Sequence, residues 1–177
     1  MKRVHAVPLL FILPCVAGAQ ALSGATIRAG YTVSSSFTDR NGFSGSLEGP
    51  EVGLDLPIGL PLPVSGLGGL QFALSPSFMS GTGGFSGSPE RGNVYRLIGT
   101  ARLAPPGSPV YIRFGTGYAY AADTQSQFTS QSAYEAQFGV GMSLTKLPVL
   151  NLSAEILYHQ SSVAQVRGWT FGLSARF

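Results

Sequence analysis

Apolar and polar residues alternate with a period of two in eight separate stretches of the chain, the signature of strands with one apolar face. The first is about 25–34, with Ile27, Ala29, Tyr31 and Val33 against Arg28, Gly30 and Thr32. The second, about 46–56, sets Val52, Leu54 and Leu56 against Glu51, Gly53 and Asp55. The third and fourth, about 67–78 and 94–103, present Leu70, Phe72, Leu74 and Phe78, then Tyr95, Leu97 and Leu103; Arg96 and Arg102 lie opposite. The second half is cleaner. Stretches at about 109–120, 133–144, 149–159 and 167–177 carry apolar residues, mostly Val, Ile, Leu, Phe and Tyr, at nearly every second position, with Arg113, Glu135, Glu155 and Arg176 between them. Each is about ten residues long, the length of a tilted membrane strand.

The connections alternate in character. Pro57–Pro63, Ala104–Pro109 and Thr145–Pro148 hold seven of the twelve prolines. They are expected to be stiff turns, because proline fixes φ and cannot continue a ladder. The other four, about 35–45, 79–93, 121–132 and 160–166, are rich in Ser, Thr, Gly, Asn and Gln and are expected to be the longer loops. Gly81-Thr82-Gly83-Gly84 lacks the Lys-Ser/Thr of a phosphate loop and is expected to be a loop tip. Pro50 and Pro76 fall near the outer ends of the second and third stretches, where a frayed end or a bulge is expected.

Two arrangements satisfy this pattern. In a soluble sandwich the apolar faces pack together; in a membrane barrel they face lipid and the charged, glycine-rich faces line the interior. Composition separates them. Charged residues make up 11% of the chain, against about 25% in ordinary soluble domains. The N-terminus adds Lys2 and Arg3, then the apolar run Val7–Val16, then Ala17-Gly18-Ala19. That is the layout of a secretory signal, with cleavage after Ala19 and Ala21 as the competitor. The expected organisation is a cleaved signal at 1–19 and a barrel at 20–177. The only cysteine, Cys15, lies inside the signal, and Pro14 argues against lipidation there. The precursor is +3, from eleven Lys/Arg and eight Asp/Glu; without Lys2 and Arg3 nine basic residues face eight acids, a net +1. The balance gives no reason to expect nucleic acid as a partner. The fold class is therefore all-β, an eight-stranded antiparallel up-and-down transmembrane β-barrel.

With both termini periplasmic, the outer strand ends hold Tyr31, Phe78, Tyr95, Tyr118, Tyr120, Tyr134, Tyr158 and Trp169, an aromatic girdle for the headgroup boundary. The C-terminal run Thr170-Phe171-Gly172-Leu173-Ser174-Ala175-Arg176-Phe177 resembles the insertion signal of outer-membrane barrels, with Gly172, Ala175 and Phe177 at its key positions. With eight strands, the chain resembles the OmpA- and OmpX-type barrels. The resemblance implies an outer-membrane location, contact with outer-membrane lipid and assembly by the barrel assembly machinery. Ala175 departs from it, being small where a larger apolar residue is usual.

The expected interior carries Arg28, Glu51, Asp55, Arg96, Arg102, Arg113, Glu135, Glu155 and Arg176. An eight-stranded barrel is just wide enough to be filled by its side chains, so a compensated ion network is expected rather than a pore. His159-Gln160-Ser161 resembles the His-x-Ser spacing of membrane-barrel lipid A deacylases, making His159 and Ser161 the candidate catalytic pair. No Asp or Glu follows Glu155, so that family's downstream acid is missing, and His159 is expected to be an interior polar residue near the rim. No cofactor or metal is expected. Three readings follow: a structural or surface-interaction protein whose loop residues Phe37, Phe43, Phe85 and Phe128 meet an extracellular or envelope partner, a narrow ion or small-solute channel, and a lipid-modifying enzyme.

Overall fold

The computed structural model describes residues 24–38, 42, 44–64, 68–83, 90–124, 129–147 and 150–176. The expected signal at 1–19, the terminal Phe177, and Phe43, Phe85 and Phe128 lie outside them. Eight antiparallel strands close into one barrel: β1 (Thr26–Ser34), β4 (Leu47–Val64), β5 (Gly68–Gly83), β6 (Glu90–Ala104), β7 (Val110–Asp123), β8 (Gln131–Leu147), β9 (Leu150–Ser161) and β10 (Gly168–Arg176). Each pairs with its neighbours in sequence, and β1 closes on β10 from Thr26↔Arg176 to Ser34↔Gly168. A two-residue ribbon, β2 (Phe37–Thr38) against β3 (Ser44–Gly45), rises from the β1–β4 loop. No described helix is long and apolar enough to cross a membrane, which says nothing of a barrel.

The apolar faces point outward. Val52, Leu97, Phe138, Val140, Phe171 and Leu173 are each about half exposed or more, while Arg28, Glu51, Asp55, Arg96, Arg113, Glu135 and Glu155 are buried inside. This inverts a soluble fold and follows from register, since one step along any strand exchanges the two faces.

Several element limits differ from expectation. Pro57–Pro63 is not a turn: β4 continues through it to Val64 and bends at Gly59, with a register shift between Ile58 and Leu62. Described β1 accompanies β4 only as far as Asp55. Past that point, among the described residues, β5 is the one strand paired with β4, so prolines there cost no donor on the other side. Similarly, β8 runs on to Leu147, taking in Thr145 and Lys146. The turn at Pro105–Pro109 is as expected, with Gly107 at positive φ and Ser108 N–H donating to Pro105 O at 3.2 Å.

The outer loops are shorter than expected, because β5, β6, β7 and β8 reach into the stretches 79–93 and 121–132. Their Ser, Thr and Gly lack apolar contrast, so the periodic signal ends before the ladder does. Gly81 to Gly83 belong to β5 and are not a loop tip; a Cβ at Gly81 would strike Leu47 and Met79. Pro50 and Pro76 stay in register. The β4–β5 pairing lapses beside each and resumes without a shift, from Glu48↔Thr82 to Glu51↔Met79 and from Gly53↔Ser77 to Leu56↔Leu74.

Glycines on the inner face make room for large neighbours. The clearest case is Gly141 on β8, where a Cβ would fall on the Tyr111 ring. Gly141→Ala is therefore expected to destabilise the barrel by about 1–3 kcal/mol. The measurement is the urea midpoint for loss of the compact unboiled band on a detergent gel; an unchanged midpoint would show that Tyr111 moves aside freely.

Candidate functional site: the filled lumen

The inner faces of the strands stack polar groups in two layers. The outer layer centres on Arg96 of β6. Its Nε donates to Glu135 Oε2 of β8 at 3.1 Å, and its Nη1 donates to Glu51 Oε2 of β4 at 3.0 Å. Its Nη2 reaches the backbone carbonyl of Val166 in the β9–β10 loop at 3.3 Å. Thr32 and Thr170 add hydroxyl contacts to the same Glu51 oxygen at 2.6 and 3.2 Å. The other oxygen, Glu51 Oε1, is the one buried side-chain atom without a partner among the described residues. Glu51 helps line a cavity of about 10 Å³, together with Arg28, Gly30, Gly53, Glu155 and Gly172. That is about the volume one water needs.

The inner layer is built on Asp55. Arg28 donates to its Oδ1 at 3.0 Å, and Arg113 holds both of its oxygens. Arg113 also reaches Gln137 Oε1 at 3.1 Å and Ser75 Oγ at 3.0 Å. Beside it, Glu155 accepts from the Tyr111 hydroxyl and from Ser174 Oγ. Arg102 and Arg176 are only half-buried, at the inner mouth. Arg102 lies over the Tyr111 ring at 3.4 Å from its centroid, and Arg176 donates to Gln71 Oε1 at 3.0 Å.

His159 lies inside the barrel, two residues from the outer end of β9. Its ring is fully buried in the outer layer, with Nδ1 against Glu135 Oε1 and Nε2 at 2.9 Å from Thr170 Oγ1. The imidazole therefore has an acidic partner, upstream in the chain and not at the downstream position of the deacylase pattern. It comes from β8, across a strand pair, where no motif in the sequence displays it. Ser161 is not joined to His159: its hydroxyl donates to Tyr134 O at 3.1 Å and accepts from Val163 N–H. Thr170, His159 and Glu135 are ordered as hydroxyl, base and acid, but all three are buried inside the wall.

Sequence reasoning missed the apolar closure above these layers. Phe37, Leu47, Met79, Val94, Ala119, Ala121 and Ala133 form a buried cluster inside the outer end of the barrel. Val163 and Val166 fold into it from the β9–β10 loop. Phe37, expected as a surface contact, is buried here. The signal was faint: Met79 fell in a stretch read as loop, and Val94 at the very start of the fourth stretch. The loop is tied down where Ser35 N–H donates to Arg167 O at 2.6 Å and Val166 N–H to Val163 O at 3.1 Å. The described residues hold no group of three or more His, Cys, Asp and Glu suited to a metal ion.

On the outside, Tyr31, Tyr95, Tyr118, Tyr120, Tyr134 and Trp169 are exposed, and Phe78 and Tyr158 are partly so. Neighbouring rings touch around the circumference: Phe78–Tyr95 at 5.1 Å, Tyr118–Tyr134 at 4.2 Å and Tyr158–Trp169 at 4.7 Å between centroids. Gly172 and Ala175 lie on β10, in register with Gly30 and Ile27 of β1.

No protein-family model matches the sequence, and no curated protein does. Solved structures do resemble the fold. Neisserial surface protein A superposes with a TM-score of 0.53 at 18% identity, over 87% of this chain and 96% of that one. Ail, the attachment invasion locus protein of Yersinia pestis, gives 0.49 at 17% identity, over 88% and 99%. The outer membrane protein OprG from Pseudomonas aeruginosa gives 0.48 at 13%, over 88% and 96%. The fold is that of the small eight-stranded outer-membrane β-barrels of the OmpA and OmpX type.

Removing one member of a buried ion group leaves the others uncompensated, at about 3–5 kcal/mol. Arg96→Leu, which strands Glu51 and Glu135, is expected to show that loss in urea unfolding from lipid. Adding Glu51→Gln and Glu135→Gln to it is expected to recover much of the loss. Equal instability of the single and triple variants would mean that packing, not charge, holds this layer.

Proposed function

We propose that this chain is an outer-membrane barrel that acts as a rigid anchor for its outer loops, a structural or surface-interaction protein with a closed interior. The observation that carries the reading is the lumen itself. Two ion layers are cross-linked from strand to strand, and an apolar cluster seals the outer end above them. Ions crossing it would have to displace both layers and the β9–β10 loop. The outward aliphatic faces and the girdle of tyrosines match a bilayer and its boundary. Contact with outer-membrane lipid and delivery by the barrel assembly machinery belong to the same reading, as do the signal at 1–19 and the terminal motif of Gly172, Ala175 and Phe177. The loops are the surface offered to an extracellular or envelope partner.

A channel reading needs the lumen to open, and a lipid-modifying reading needs His159 to meet a lipid acyl ester. The buried imidazole and the diverted Ser161 hydroxyl disfavour the second. Recording across planar bilayers is expected to show no discrete current steps with the refolded protein. Regular steps that change in size with Arg96→Ala would overturn the closed-lumen reading in favour of a channel. Mass spectrometry of envelope lipids from cells making the wild type or His159→Ala is expected to give identical profiles. A species lost only in the variant would establish the enzyme.

A further inference from the structure

The inner mouth of the lumen carries more positive charge than its carboxylates balance. Toward the inner end from Gly30 and Gly172, the described interior holds Arg28, Arg102, Arg113 and Arg176, with Asp55 among them and Glu155 at the level of Gly172. Both acids are engaged. Asp55 gives both oxygens to Arg28 and Arg113, and Glu155 accepts from Tyr111 and Ser174. Among the described residues, neither Arg102 nor Arg176 has a carboxylate within ion-pair distance.

The two arginines are also held in place. Stacking on Tyr111 fixes the plane of the Arg102 guanidinium and leaves its N–H edge open, with no hydrogen-bond acceptor for it among the described residues. Gln71, the cross-strand partner of Arg102, receives Arg176. Together they gather two cations beside a cavity of about 20 Å³ lined by Thr26, Gln71, Thr100, Arg102 and Arg113. Asp55 also borders this space, but its charge is spent on its two arginines. A guanidinium edge in a partly desolvated mouth suits a carboxylate or phosphate oxygen.

We propose that the inner mouth is a binding site for an anionic group, a phosphate or carboxylate that inserts one or two oxygens against Arg102 beside Arg176. The proposal rests on the barrel reading, which places this end at the periplasmic face. The anion comes either from solution or from a lipid headgroup at that leaflet, and the chemistry is the same for both.

The test uses the refolded chain in nanodiscs of phosphatidylcholine, with inorganic phosphate as the probe and the thermal unfolding midpoint as the readout. A compact unboiled band on a detergent gel comes first; its absence would remove the barrel reading itself, separately from the anion site. Phosphate is expected to raise the wild-type midpoint. Arg102→Gln is expected to weaken the apparent affinity by about tenfold or more, the scale of one charged hydrogen bond. Arg102→Lys is expected to retain part of the response, and Arg91→Gln at the opposite end all of it. No phosphate response, or an equal one in Arg102→Gln, overturns the proposal. Discs containing phosphatidylglycerol identify the source: loss of the phosphate response there supports the headgroup, and an undiminished response supports a soluble anion.

Discussion

A sheet placed in hydrocarbon has no water to satisfy its edges, so every backbone donor and acceptor in the spanning region needs a partner. The β1–β10 seam meets that demand, with nine residue pairs from Thr26↔Arg176 to Ser34↔Gly168. Once the first and last strands are joined, two separate environments exist, and the two-residue period sends alternate side chains to each. Phe171 and Leu173 therefore face out while their neighbours Thr170 and Ser174 face in. Glycine is the usual residue where the wall or a neighbour comes close, as at Gly30, opposite Gly172 across the seam.

Closure confines charge as well as backbone. A narrow interior hydrates a guanidinium poorly, so two of the buried cations draw on several strands at once. Arg96 joins β6 to β4, β8 and the β9–β10 loop, and Arg113 joins β7 to β4, β5 and β8. Such groups add less net stability than their Coulomb attraction suggests, because desolvation opposes it. Their larger effect is to make one arrangement of strands much better than its slipped alternatives.

Most of the architecture was legible because it follows from period and punctuation. The eight stretches, the outward aliphatic faces and the inward position of Arg28, Asp55 or Glu155 can each be read from alternation alone. The limits of β4 and β5 could not. Pro57, Pro61 and Pro63 read as a turn only when the strand is assumed to have two neighbours, and the wet ends of β5 to β8 carry no apolar contrast. Pairings across strands were also hidden. Nothing in the sequence shows that Glu135 meets His159, since the β8–β9 register puts Glu135 opposite Ser161. The apolar seal escaped because Phe37, Val163 and Val166 come together from two connections that read as polar.

The aromatic rings are concentrated at one rim, and this makes the two ends of the barrel mechanically unlike. At the other rim the outward side chains are mostly aliphatic, among them Leu62, Val110 and Leu144. Amphipathic rings resist movement both into hydrocarbon and into water, whereas aliphatic groups resist only the second. When the surrounding bilayer thins or thickens, the ringed end keeps its depth and the opposite end takes up the mismatch. The proline-bearing edge of β4 and the inner-mouth arginines thus sit at the end whose distance from the lipid boundary varies with the membrane.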